Sequence, residues 1–293
     1  MKRLYLLLIA FVICLSSCNL NEKDILRQIY VVYTGQDSNT HKDINFVSRE
    51  PVHSVQNDAE INKTVKILDN EFDAVYKETL FYPIGNYEVN QYTVGEGSIL
   101  LRKDGSVKSV LGVKIGEINI SPTDSHEEVQ ALLEPFIADA VNVSKYEQLN
   151  VTKQGSNDNE DHFGHYNFVY YNEVQGYMTD WVSIYVDDDG TISRMVIQNL
   201  SEDINGLDID KKHEDKLIST ELSSLYNTDT TQYVSYEQSK QPQIVLFNNE
   251  LHVRYTLETG FKQFFNNQSD NSEPPTINMI DEILIPLELL TDS

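Results

Sequence analysis

Both cysteines of this 293-residue chain stand within five positions of each other, Cys14 and Cys18, and none follows. Everything beyond residue 18 must therefore fold without a disulfide and without a thiolate-held metal. A chain of this length can bury enough apolar surface to be held by its core alone. The same placement removes whole function classes. Beyond residue 18 there is no thiol for nucleophilic catalysis, no Cys-ligated zinc and no iron–sulfur centre.

The two cysteines close an apolar run. Lys2 and Arg3 precede an apolar stretch from Leu4 to Leu15, and Ser16, Ser17 and Cys18 lead into the polar segment Asn19-Leu20-Asn21-Glu22. A basic start, a short apolar body and a small-residue exit are the parts of a secretory signal. The body is shorter than the ~20 residues that a bilayer span needs. Leu15-Ser16-Ser17-Cys18 resembles the lipobox of bacterial lipoproteins: an aliphatic residue, two small residues, then cysteine. The resemblance implies cleavage between Ser17 and Cys18, a diacylglyceryl thioether on Cys18 and, in some bacteria, acylation (palmitate-type) of the new terminus. Val12 and Ile13 before Cys14 are too bulky for that pattern. Cys14 would leave with the signal peptide 1–17, and two acyl chains on Cys18 would give stable anchoring where one gives marginal binding. The expected location is the outward face of a bacterial membrane, extracellular or periplasmic.

Asp and Glu number 46 against 22 Lys and Arg, for a formal charge of −24. Such a chain is repelled by nucleic acid and by anionic headgroups, so the membrane contact falls to the lipid. The acids are scattered along the chain, which reads as a solvated surface. The 40% hydrophobic content and 17 tyrosines indicate a folded, β-rich protein.

Beyond a tether with a short lead-in strand over 18–57, a pattern of helix followed by strands recurs. Ile61, Val65, Leu68, Phe72, Val75 and Leu80 fall near helical spacing and predict a helix over 58–80. Strands are expected at 87–94 and through 98–115, with a hairpin turn at Asp104-Gly105. A second helix is predicted after Ser121, with Ser125 and Glu128 at capping-box spacing, an apolar face of Val129, Leu132, Leu133, Phe136, Ile137 and Ala140, and a kink or break at Pro135. Strands are then expected in 145–154, 165–174, 178–186 and 191–199. A third helix is predicted near 208–226 and strands over 231–238, 243–249 and 250–258, with Asn248-Asn249 as a turn; a polar loop at 266–276 precedes the apolar stretch 279–290. The expected fold is α+β: two or three units, 58–120, 121–205 and 206–293, each with one helix packed on an antiparallel β-meander.

The stretch 165–199 resembles the PepSY-type module. Tyr166, Phe168 and Tyr170 match its first strand, and Val182, Tyr185, Val186, Asp187, Gly190 and Ile192 its second strand and turn. Residues 206–293 share the strand pattern without the closing turn, and 58–120 are nearer the module that accompanies PepSY in protease propeptides. The resemblance implies a non-catalytic module. Such modules occur in propeptides that chaperone or inhibit metalloproteases and in surface proteins. Similar folds occur in membrane-anchored accessory regulators of a cell-wall-sensing histidine kinase.

Catalytic and metal motifs are weak. Asp187-Asp188-Asp189-Gly190 suits a hairpin turn, since an EF-hand would need a glutamate where Gln198 stands. His126-Glu127-Glu128-Val129-Gln130 lacks the second histidine of a zincin helix, and no phosphate-loop, dinucleotide or nucleophile-elbow pattern occurs. Asp158, Glu160, Asp161, His162 and His165 read as a solvated loop. No cofactor and no metal are expected. The remaining lead is aromatic. Tyr166, Phe168 and Tyr170 alternate along one strand, and Trp181 and Tyr185 share a face of its neighbour with Ser183. On a sheet face left open by the helices, these five would bind a protein or peptide partner such as a protease or an envelope sensor. Two other classes stay open: an envelope enzyme on peptide or cell-wall substrates, and a cation-binding protein.

Overall fold

The computed structural model describes residues 28–31, 45–48, 51–54, 59–121, 123–138, 140–153, 165–200, 204, 207–264 and 274–291. Among these the chain forms sixteen strands and two α-helices. The strands before the first helix are β1 (Gln28–Val31), β2 (Asn45–Ser48), β3 (Val52–His53), β4 (Asn62–Ile67), β5 (Asn70–Tyr82), β6 (Tyr87–Val94), β7 (Gly97–Arg102) and β8 (Val107–Glu117). Helix α1 (His126–Ile137) is followed by β9 (Gln148–Lys153), β10 (Tyr166–Val174), β11 (Tyr177–Val186) and β12 (Thr191–Gln198). Helix α2 (Lys211–Tyr226) precedes β13 (Thr231–Gln238), β14 (Gln243–Phe247), β15 (Glu250–Gln263) and β16 (Thr276–Pro286).

The fold is therefore predominantly β with mixed strand pairing, and the expected α+β series of helix-on-meander units is overturned. The first reason lies at residues 58–80, where the predicted helix is the hairpin β4–β5. The helical stripe needs Ile61 and Val75 inside, yet they are 66% and 48% exposed. In β4 the buried Val65 and Ile67 alternate with the exposed Thr64 and Lys66, and in β5 the buried Ala74 stands between the exposed Asp73 and Val75, which is the period of two of a strand. Ile67 pairs with Asn70 across a two-residue turn in which Leu68 takes φ +56°. A leucine in the left-handed region is costly and carries none of the Gly or Asn chemistry by which such turns are recognised.

The second reason is that the first two expected units share one sheet. Two compact units exist, and the larger comprises residues 51–210, 241–254 and 286–291. In it β5–β6–β7–β8 form one antiparallel meander, with β3 and β4 also paired to β5, and β9–β10–β11–β12 form another. Strand β12 pairs antiparallel with β8, with Met195 opposite Val110 and Val196 opposite Ser109. The meanders fuse into one sheet served by one helix.

Helix α1 starts at a full capping box: the Ser125 amide donates to Glu128 Oε2 (2.7 Å) and the Glu128 amide to Ser125 Oγ (3.3 Å). It runs undivided to Ile137, carrying Pro135 in its last turn. Val129, Leu133 and Ile137 are its buried row and Leu132 stays exposed. They meet one core built from both meanders, including Val65, Ile99, Val110, Ile115, Phe168, Val182, Ile184 and Ile192. Gly116 of β8 lets the helix approach, since a Cβ there would lie 2.1 Å from the Phe136 ring.

The smaller unit comprises β1, β2, residues 211–240 and residues 255–285. Its strands run β2–β1–β16–β15, with β13 on the C-terminal part of β15. Strand β13 pairs with β15 and skips β14, so this segment is no simple meander. Strand β1 joins β16 in parallel, Tyr30 opposite Ile283 and Val31 opposite Leu284. Helix α2 buries Ile218 and Leu222, and Tyr226 stacks on Phe261 (4.7 Å between ring centres) while its hydroxyl donates to Asp281 Oδ2 (2.6 Å).

Candidate functional site

Cys18 and Ser17, and the loop from Asp158 to His162, lie outside the described residues. The five aromatic residues proposed as a binding face are described, and they do not form one. Tyr166, Phe168 and Tyr170 are 3%, 0% and 4% exposed. Their row points at α1. The Tyr166 hydroxyl donates to the Asp124 carbonyl (3.2 Å) and that of Tyr170 to Glu134 Oε1 (3.2 Å). The register explains the error. Tyr166, Phe168 and Tyr170 pair with Val186, Ile184 and Val182, and directly opposed residues share a face. That is the aliphatic, helix-facing side of β11. Trp181 and Tyr185 are half-buried on the other side, where the Arg194 guanidinium lies 4.5 Å from the Tyr185 ring. The two aromatic rows stand on opposite faces of one sheet. The Asp187–Gly190 segment is the expected turn, with the Asp187 amide donating to the Thr191 carbonyl (2.8 Å) and Gly190 at φ +83°.

The larger unit carries a cleft that the sequence did not reveal, with a volume of about 760 Å3. The β4–β5 turn, the β7–β8 turn, the segment after α1 and the end of β12 converge on it. Its apolar floor includes Ile67, Leu68, Val141, Met195 and Ile197. Three cations line it, Lys66, Arg102 and Lys145, against one acid, Asp69. In a chain with twice as many acids as cations, that inversion is a local feature of the fold.

Each cation is held differently. Arg102 ends β7 and is anchored through its guanidinium, with Nη1 donating to the Val107 carbonyl (3.1 Å) and Nη2 to the Ile197 carbonyl (3.2 Å). These acceptors are neutral, so the geometry fixes the fork without cancelling its charge. Lys66 and Lys145 are exposed, and the Lys145 ammonium lies 4.8 Å from the centre of the Tyr146 ring. Tyr146 also lines the cleft. It is 9% exposed, and its hydroxyl is buried with no hydrogen-bond partner among the described residues. Burial pushes that hydroxyl up to about 12, with Asp180 adding to the effect and Arg102 opposing it. The group is thus a neutral donor with nothing to donate to. A buried hydroxyl left so costs about 1–3 kcal/mol.

Behind the cleft, Lys108 of β8 donates to the Ile197 carbonyl and to Gln198 Oε1 and lies 4.7 Å from the Tyr87 ring. Two cations, Arg102 and Lys108, therefore share the Ile197 carbonyl. Among the described residues no group of three or more His, Cys, Asp or Glu side chains is placed to hold a metal ion. No helix among them is long and apolar enough to cross a membrane.

No protein-family model matches the chain, and no curated protein does. A solved structure similar to it is that of an uncharacterized protein from Eubacterium rectale, at 13% identity over 76% of this chain and 73% of that one, with a TM-score of 0.27. That likeness carries no argument about function.

Proposed function

We propose that this protein is a bacterial lipoprotein, held through lipid on Cys18 at the outward face of a membrane, whose folded part acts by binding a protein or peptide partner. The observation that carries the binding half is the cleft: cations over an apolar floor, with an unpartnered donor, on a strongly acidic chain. Such a mix of apolar wall and few convergent polar groups is the usual make-up of a ligand site. The anchoring half rests on Leu15-Ser16-Ser17-Cys18 after a basic and apolar leader. Binding at the cleft does not require chemistry there, and the role envisaged is that of an inhibitor or of an accessory to an envelope sensor.

The anchor is tested by intact mass and membrane fractionation of the expressed chain beside a Cys18→Ser variant. The expected result is a chain that starts at residue 18, carries an added lipid mass and pellets with membranes, while the variant does neither. Wild-type protein released without lipid would sink the anchoring half and leave the cleft to be tested separately.

A further inference from the structure

We infer that the cleft of the larger unit binds the C-terminal carboxylate of a peptide whose last residue is apolar. The inference rests on the reading of the protein as a peptide binder and names the part of the peptide that the site takes.

Charge comes first. Lys66, Arg102 and Lys145 face a volume that holds one acid, Asp69, so the cleft attracts an anion although the whole chain repels one. Arg102 is the fixed member. Its bonds to the Val107 and Ile197 carbonyls hold the guanidinium in place before any ligand arrives. A preset planar donor loses little entropy on meeting a carboxylate.

Tyr146 is the second, independent observation. Its side chain is nine-tenths buried, it lines the same cleft, and its hydroxyl has no partner among the described residues. The hydroxyl is closed off from solvent, so a ligand reaches it only when side chains around it move. The exposed Lys145 ammonium lies 4.8 Å from the centre of the Tyr146 ring. A carboxylate then accepts from the hydroxyl and keeps the Lys145 ammonium as a counter-charge. The hydroxyl stays protonated at neutral pH, as a donor must.

The floor selects among oxyanions. Ile67, Leu68, Val141, Met195 and Ile197 lie beside the cations. A phosphate has no apolar surface to set against them and would leave that floor to water. An apolar residue that carries its own carboxylate meets both parts at once. The volume, about 760 Å3, is in the range of sites that take small ligands or a short peptide end.

The test is calorimetric titration of the purified full-length chain with three probes: the tripeptide Ala-Ala-Leu as free acid, the same peptide as its C-terminal amide, and inorganic phosphate. The free acid should bind saturably, and the amide at least about tenfold more weakly, as loss of a charge-assisted hydrogen bond predicts. Phosphate should not compete. Tyr146→Phe should weaken the acid by about fivefold or more, with a melting temperature that rises because the unpartnered buried hydroxyl is gone, and with unchanged affinity for the amide. Lys145→Gln should weaken the acid and flatten the dependence of its affinity on salt. Equal affinity for acid and amide would overturn the carboxylate assignment and leave the peptide-binding reading standing. Phosphate displacing the free acid at equal concentration would overturn the choice of a peptide end. Failure of both peptides to bind would defeat the inference and the peptide-binding reading together.

Discussion

Lys108 departs far from the ordinary chemistry of its type. It is 4% exposed on β8, and burial, with Arg102 nearby, depresses its ammonium from 10.5 to about 7. The unfolded chain keeps the ordinary value, so between these two pH values it holds a proton that the folded chain lacks. Stability must then rise with pH across that window, and the full penalty applies below about pH 7. The slope from this one group reaches up to about 1.4 kcal/mol per pH unit. Lys108→Met should remove it. The Ile197 carbonyl keeps its bond from Arg102, so the substitution strands no buried acceptor there. The expected outcome is a higher melting temperature at pH 7 and a flatter profile from about pH 7 to 9, read by thermal unfolding in a pH series. An unchanged profile would mean that the lysine stays charged in the fold.

Helix α1 shows what a sequence states openly at the scale of an element. Its capping box and the buried positions Val129, Leu133 and Ile137 were legible because each is a local relation among residues three or four apart, whereas its start, its end and its passage through Pro135 were not. The face itself needed the structure, since Leu132 and Leu133 are equivalent in the sequence yet only Leu133 is buried. Leu133→Ala should cost about 2–5 kcal/mol and Leu132→Ala much less, by urea unfolding followed through circular dichroism. Ser125→Ala should cost about 1 kcal/mol through loss of the cap. The strand stretches after Tyr87 were legible for a similar reason, because Gly105, Gly176 and Gly190 mark their turns with positive φ. The hairpin β4–β5 was not, because Leu68 gives no such mark and its neighbours imitate a helical stripe. The aromatic row of β10 failed on register. Which face Tyr166, Phe168 and Tyr170 take depends on their partners in β11, and pairing is a non-local fact that alternation within one strand leaves open.

At the scale of the whole molecule, the missing information was which strands meet. Nothing in 58–120 and 121–205 states that β8 and β12 pair, yet that pairing turns two expected units into one sheet. The cleft depends on the same non-local fact, because Lys66, Arg102, Tyr146 and Ile197 come from four separate segments. Cysteine placement, by contrast, already required a core sufficient without cross-links, and the larger unit answers with a cluster that draws on β4 to β12 and α1. The N-terminal region makes the sharpest case. It read as a tether with a short strand, and its β1 is found in parallel pairing with β16, about 250 residues away in the chain. If that pairing stabilises the smaller unit, a chain lacking residues 19–50 must expose one edge of β16. Backbone amides around Ile283 and Leu284 should then exchange with solvent at least about tenfold faster than in the full chain, with the amides of α1 as the internal reference. Unchanged exchange at β16 would assign residues 19–50 the spacer role alone.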